Sequence, residues 1–415
     1  MDYVIRQLEA ALTLPLPAGQ PAEVPCLLDG RSAGAFWAGF LDALRRGGCA
    51  CAVDPDWPAA WKDAAWAEAS SADIANENAF RLLLPTGGST GKPRLCLHDV
   101  GTLSVAAQGY AERFANDNLH HCVSYLPPFH VGGMMPAFRA VACGGRVAYL
   151  DYRDPDSLSQ LAFPLGESAL SLVPTQLRRI LATDGGARRL RRFGLILVGG
   201  AACPADLLRT ARAEAIPLAP CYGSTETAAM VTVLSPAAFL DGKESSGTPL
   251  PHVRLEIEAG SGRLLVYADS NLRAYVPARR GFSRHPFRTH DLAELDSDGG
   301  LRILGRHDRV IISGGKKIQP EAVEEAAQRS GLCADVLCRA NDDADWGQAV
   351  VLVVVPKNPR TFARDALLSA LRDRLPSAAL PKSIEIVPEI PRSTAGKPRL
   401  PRPPSPSSRG EDFSS

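Results

Sequence analysis

Charge imbalance is what this chain has least of. Its 415 residues carry 46 Lys and Arg against 45 Asp and Glu, a net charge of +1. No surplus of either sign favours nucleic acid or an anionic membrane as a partner. Long apolar runs are missing too. Nothing approaches the ~20 residues of a membrane span, so no membrane insertion is expected. The opening MDYVIRQLEA lacks the apolar stretch of a secretory leader. Ten cysteines are scattered without a CxxC pair or a Cys/His cluster, which argues against a zinc site. Free thiols in a reducing cytoplasm are the expectation. No internal repeat is visible. With 45% hydrophobic and 22% charged residues, the composition is that of an ordinary globular protein. The length implies two or more domains.

What is present is organised around RLLLPTGGSTGKPR, residues 81–94. Arg81 to Leu84 read as a short buried strand. The loop after it is Thr86, Gly87, Gly88, Ser89, Thr90, Gly91 and Lys92. Three glycines let the backbone turn tightly and approach a ligand. Successive free N–H groups make a concavity for anions. Hydroxyls and a lysine add donors, so the loop suits a polyphosphate. A Walker A loop does not fit, because it needs a Gly at position 86 and a hydroxyl after Lys92, where Thr86 and Pro93 stand. Taken alone, the loop also reads as a surface turn.

Downstream the pattern alternates. LSVAAQGYAERFA from Leu103 has helical spacing, and CVSYL from Cys122 is strand-like and runs into PPFHVGG. RVAYL, ALSLV and FGLILVGG are further short apolar runs, and PTQLRRIL begins a helix on Pro174. Strand–helix alternation predicts an α/β domain with largely parallel sheets. Ligands in such sheets sit beyond the carboxyl ends of strands. Four candidate positions follow: the Gly-rich loop, Phe129-His130, Gly199-Gly200, and Tyr222 to Glu226. From about residue 247 the texture changes. VRLEIEAGSGRLLVYA predicts a hairpin, and from Asp308 a helix (321–328), a strand pair and a helix (362–374) make a small α+β domain of about 90 residues. The expected domains are 1–307 and 308–400, with 401–415 a disordered tail by composition. Residues 1–80 predict a helix from Gly34 ending at Gly47-Gly48, and a strand from Cys51 running into a loop.

Three more segments carry chemistry. CYGSTET (221–227) offers an aromatic face at Tyr222 beside flexible Gly223, a donor at Thr225 and a hard oxygen ligand at Glu226. Alone it is also a polar turn. In FRTHDLAELDSDGGLRILGRHDRVI (287–311), Asp291 can accept from two ribose hydroxyls and Arg306 can reach hydroxyls or phosphate. A structural ion pair is the competing reading. Lys397, in PRSTAGKPRL, is either solvated surface or a mobile cation that stabilises charge on a phosphate and an attacking carboxylate.

Taken together and in order, TGGSTGKPR, YGSTET, the 288–325 stretch and PRSTAGKPR resemble the adenylate-forming superfamily of acyl-CoA synthetases, non-ribosomal adenylation domains and luciferases. The resemblance covers roughly residues 80–400. LPPFHVGGMMPAFRA, SLVPTQLRRIL, ILVGGAACPADL and GTPLPHV look most like the o-succinylbenzoate–CoA ligases of menaquinone biosynthesis. In that subfamily an arginine nine residues after the motif histidine lies in the aryl-acid pocket; here that is Arg139 after His130. An arginine suits a second, unreacted carboxylate. A charge on a helix surface is the other reading of Arg139.

The resemblance implies a large N-terminal adenylate-forming domain with mixed and parallel sheets and a small mobile C-terminal domain. It implies ATP, Mg²⁺ and coenzyme A, and a carboxylic acid activated as acyl-AMP. Thr86 to Lys92 would clasp the β- and γ-phosphates. Tyr222 would stack on adenine beside Gly199, Gly200 and Ala201. Asp291 and Arg306 would fix the ribose, Glu226 would hold Mg²⁺, and Thr225 would donate to phosphate. Lys397 would act in adenylation. Rotation about Asp308 would then replace it with the Ser313-Gly314-Gly315 loop for thioester formation. His130 would line the acyl site. Four departures stand out: Gly87 where Ser is usual, Arg94 for the closing lysine, His290 for the glycine before Asp291, and a shorter N-terminal region. Other aryl- or fatty-acid–CoA ligases, an enzyme loading a carrier protein, and a non-catalytic nucleotide-binding protein are the alternatives. A homodimer is left open.

Overall fold

The computed structural model describes residue 8 and residues 26–29, 32–70, 80–86, 94–278 and 282–392. Gly87 to Lys92, Lys397 and the tail 401–415 lie outside the described residues.

The chain divides into two units. The first takes most of the chain up to Ile303; the second takes Leu304 onward with the short segments Pro204–Asp206 and His290–Leu292. In the first unit, β1 (Cys26–Asp29), β2 (Cys49–Val53) and β3 (Arg81–Thr86) run parallel, and β4 (Arg94–Asp99) pairs antiparallel with β3. Every residue of β2 and β3 is buried, as expected of strands covered on both faces. The helix Ala33–Arg45 opens on a Ser32 cap and buries Phe36, Trp37, Phe40 and Leu41. The 51–61 stretch runs from β2 into the expected loop at 54–58, and its PAAW then departs from that reading by beginning a second helix, Ala59–Ala69. Pro58 sits at that helix's N-cap, where a missing N–H costs nothing.

The second sheet has seven strands. β5 (His121–Ser124), β6 (Val147–Tyr149), β7 (Ser168–Leu172), β8 (Leu195–Val198) and β9 (Leu218–Ser224) are parallel in the order β9-β8-β7-β5-β6. β10 (Ala229–Val233) and β11 (Thr248–Pro249) extend it antiparallel. The helix Pro174–Leu181 begins on its proline as predicted. β12 (Val253–Ile257) and β13 (Arg263–Ala268) form the expected hairpin. β14 (Ala274–Val276) returns to pair antiparallel with β4 and completes the first sheet. β15 (Phe287–Leu295) and β16 (Leu301–Arg306) join β12 and β13 in a third sheet.

The second unit is α+β. β17 (Ile311–Ser313) and β18 (Lys316–Ile318) form a hairpin on Gly314-Gly315. Both glycines have positive φ, +55° and +74°, as a two-residue turn of primed type requires. β19 (Cys333–Asp343), β20 (Gly347–Pro356) and β21 (Ser383–Ile386) complete its sheet. The helices Pro320–Arg329 and Arg364–Arg372 pack Val323, Ala327, Leu367 and Leu371 onto Val350, Leu352 and Val354. Among the described residues no helix is long and apolar enough to cross a membrane.

Candidate active site

In the first unit, β3 and the turn after β9 bring Thr86 and Glu226 together. The Thr86 hydroxyl donates to Glu226 Oε1 at 3.1 Å, and the Tyr275 hydroxyl of β14 donates to the same oxygen at 3.3 Å. The backbone carbonyl of Glu226 accepts from Leu272 N at 2.7 Å. One carboxylate oxygen is thereby oriented from two sides. Arg94, the residue replacing the motif's lysine, lies over the Tyr275 ring, its Cζ 5.8 Å from the centroid.

The turn itself is pinned from beneath by His98. Its Nε2 meets the Thr225 carbonyl at 2.8 Å and its Nδ1 meets the Thr102 hydroxyl at 3.0 Å. His98 is fully buried, and burial drives its pKa down to about 4 against the opposing pull of the Thr225 hydrogen bond. The neutral ring holds the turn. The Thr225 hydroxyl leans on the Pro85 carbonyl at 3.4 Å. Asp99 caps the helix Val100–Arg113 and pairs with Arg273 at 2.6 Å, tying β4 to the segment that leads into β14.

Tyr222 and Gly223 lie within β9, not beyond it. This corrects the predicted strand end, and the cause is the antiparallel β10, which draws the chain into pairing through Ser224. A Cβ on Gly223 would sit 1.8 Å from the Ala229 carbonyl oxygen, so only glycine fits there. Gly199 follows β8 and packs against Cys221, beside Tyr222; a Cβ there would lie 2.8 Å from Cys221 Sγ. Gly200 and Ala201 are exposed.

His130 caps the helix Val131–Ala142 in extended conformation, its ring 4.5 Å from that of Phe129. The helix buries every residue from Gly133 to Ala140. Arg139 is therefore no surface charge: it is 5% exposed. Its Cζ lies 5.1 Å from the Tyr110 ring centroid, and its Nε has no hydrogen-bond partner among the described residues. Its charge is felt at the thiols of Cys122, Cys143 and Cys221. Among the described residues no carboxylate pairs with it. Burial nonetheless pushes the Cys221 thiol up to about 11.

In the second unit Arg306 binds Asp308 through two hydrogen bonds, 2.8 and 2.7 Å, and approaches Asp291 at 3.4 Å. Burial raises the Asp308 carboxyl, but the Arg306 fork outweighs it and holds it below its usual range. His290 Nδ1 lies 3.8 Å from Asp308 Oδ2. The ion pair weighed for Asp291 and Arg306 is thus present, with Asp308 as its stronger arm. The Gly314-Gly315 turn is exposed at the hairpin tip, with Gly314 N donating to the Trp346 carbonyl at 3.0 Å.

His98, Tyr110 and Tyr275 escaped the sequence reading. Only His98 left a usable signal, a lone ring in the apolar strand RLCLHD. A metal at Glu226 fits the donors present. Among the described residues no three His, Cys, Asp or Glu side chains converge. A hard cation there would take one protein carboxylate and draw its other ligands from phosphate and water, the usual habit of Mg²⁺.

Comparison with known proteins gives the following likenesses. The chain is 31% identical over 336 residues to the indoleacetate–CoA ligase of Aromatoleum aromaticum, covering 77% of this chain and 65% of that protein, a little under two thirds of its length. It is 29% identical over 331 residues to the 2-succinylbenzoate–CoA ligase of Lactococcus lactis, covering 79% and 71%. Its fold is like that of the o-succinylbenzoate CoA synthetase of Bacillus subtilis solved with the acyl-adenylate intermediate, with TM-score 0.79, 22% identity, and coverage of 95% and 89%. Residues 39–269 match the AMP-binding enzyme family and residues 322–397 match the AMP-binding enzyme C-terminal domain, and the chain belongs to that family.

Proposed function

We propose that this protein is an ATP-dependent acid–CoA ligase that works through an acyl-AMP, with o-succinylbenzoate as its acid and menaquinone biosynthesis as its pathway. The observation that carries the substrate is Arg139. A buried cation without an anion is costly, because desolvation is repaid only by a close, well-oriented counter-charge. Its contact with Tyr110 offsets part of that, about 2 kcal/mol when desolvated. A second substrate carboxylate supplies the rest. The acids for which the relatives are named, indoleacetate and 2-succinylbenzoate, differ in this respect: only the second has a carboxylate left over.

In the first half-reaction a carboxylate oxygen attacks the α-phosphorus of ATP, the bond to the β-phosphate oxygen breaks, and pyrophosphate leaves. Lys397 neutralises charge building between the carboxylate and the α-phosphate. Thr86 to Lys92 hold the β- and γ-phosphates, and Thr225 donates to phosphate. Glu226 holds Mg²⁺, which when bound disperses phosphate charge; Thr86 and Tyr275 fix the carboxylate's orientation. Tyr222 stacks on adenine, with Gly199, Gly200 and Ala201 leaving it room. Asp291 and Arg306 take the ribose. In the second half-reaction the CoA sulfur attacks the acyl carbonyl, AMP leaves, and the thiol proton passes to solvent. Asp308 is the hinge that exchanges Lys397 for the Gly314-Gly315 turn, since one cavity cannot hold lysine and thiol together. His130 lines the acyl site.

The test measures pyrophosphate release and CoA thioester formation with ATP and Mg²⁺. Acids are o-succinylbenzoate, the same acid lacking either carboxylate (4-oxo-4-phenylbutanoate and 2-propanoylbenzoate), indoleacetate and a medium-chain fatty acid. Thioester formation preferring o-succinylbenzoate is expected. Preference for indoleacetate would keep the chemistry and overturn the substrate. Release of pyrophosphate without CoA use would favour a different acceptor.

A further inference from the structure

Two buried donors face each other in the first unit, and the reading above uses only Arg139. The other is Tyr110, on the helix Val100–Arg113, which is 1% exposed with a hydroxyl that has no hydrogen-bond partner among the described residues. The ring itself is well accounted for: it packs 4.9 Å from Phe114 and carries the Arg139 guanidinium 5.1 Å from its centroid. A phenylalanine would supply both contacts. The hydroxyl adds nothing to them, and buried hydroxyls without partners are rare in folded proteins.

We propose that Tyr110 is a specificity-determining residue whose hydroxyl donates to the unreacted carboxylate of the acid, the same group whose charge Arg139 balances. This rests on the dicarboxylic reading above. A carboxylate has two oxygens and about four acceptor sites, so it can take a guanidinium and a phenol together. A monocarboxylic acid leaves both donors unpaired, and sites built to hydrogen-bond a substrate group reject analogues lacking it. Burial holds the phenol's pKa well above its ordinary value, so it is a donor at neutral pH and does not compete as an anion.

The test compares wild type, Tyr110→Phe and Arg139→Met with o-succinylbenzoate and with whichever of its single-carboxylate analogues reacts. Readouts are KM, kcat, melting temperature without ligand, and the shift in melting temperature that each acid produces. Tyr110→Phe is expected to raise KM for o-succinylbenzoate roughly tenfold or more. It should leave kcat and the analogue's KM unchanged, shrink the thermal shift with o-succinylbenzoate, and leave the ligand-free melting temperature equal or higher. A lower ligand-free melting temperature, or an equal rise in both KM values, makes the hydroxyl structural and overturns the inference. If Tyr110→Phe changes nothing while Arg139→Met abolishes the preference for two carboxylates, Tyr110 is excluded and the substrate reading stands. A wild type without that preference overturns both.

Discussion

Acidification should loosen the turn that carries Glu226, through one imidazole. His98 is fully buried between Thr102 and the Thr225 carbonyl, and burial lowers its pKa from 6.5 to about 4. In the unfolded chain it titrates near its ordinary value. Between those two values the unfolded state binds more protons, so stability is fully present above pH 6.5 and is lost as pH falls towards 4. At about 1.4 kcal/mol for each tenfold in proton affinity, the full effect is roughly 3 kcal/mol, a large share of a typical 5–15 kcal/mol margin. Carboxylates titrate in the same window, so the informative quantity is a difference of differences. His98→Gln keeps a donor for the Thr225 carbonyl and does not titrate. Denaturant unfolding at pH 7.5 and about 4.5 would be followed by tryptophan fluorescence, which reports mainly on the first unit because Trp37, Trp57, Trp61 and Trp66 lie there and only Trp346 in the second. Wild type should lose about 2–3 kcal/mol more than His98→Gln over that interval. Equal losses would refute the reasoning and show that His98 is not desolvated as the packing requires.

His252 should add an effect of the same sign, since burial also lowers it to about 4; His252→Asn should flatten the remaining slope between pH 6.5 and 4.5, and an unchanged slope would rule it out. Gly223→Ala forces a Cβ to 1.8 Å from the Ala229 carbonyl oxygen and should lower stability by about 2–4 kcal/mol, read as a fall in melting temperature. Glu226→Gln should cut adenylation about 100-fold or more and raise the Mg²⁺ concentration needed for half-maximal rate, whereas Tyr275→Phe, which removes one 3.3 Å hydrogen bond, should cost less than tenfold. Lys397→Ala should abolish pyrophosphate release yet spare thioester formation from supplied acyl-AMP; equal loss of both would remove Lys397 from its assigned step.

Much of this architecture is legible in the sequence, because strand and helix periods and glycine pairs are local signals. The parallel core, the hairpin 253–268 and the small α+β unit all follow from them. What was hidden is long-range. Nothing near Glu226 announces that Thr86, 140 positions earlier, and Tyr275, 49 positions later, bond its carboxylate. The end of β9 was misplaced because its last residues look like a loop and become strand only through β10. The burial of Arg139 was readable in principle: GGMMPAFRA is apolar on every face, and a helix hydrophobic all round is buried. Tyr110 gave no such hint, since a tyrosine on an amphipathic helix reads equally as core or rim.

The return of β14 to β4 has a consequence for synthesis. β4 ends at Asp99, and its second neighbour begins at Ala274. A ribosome adding ~5–20 residues each second needs roughly ten seconds or more to supply it. During that interval β4 presents an open edge, and unpaired edges invite pairing with other chains. Tyr275 arrives on the same strand, so Glu226 acquires its second hydrogen bond only when that edge is closed. A nascent chain stalled before Ala274 should therefore be both without its finished carboxylate and prone to join its neighbours, and one stalled after Val276 and clear of the ribosome should be neither.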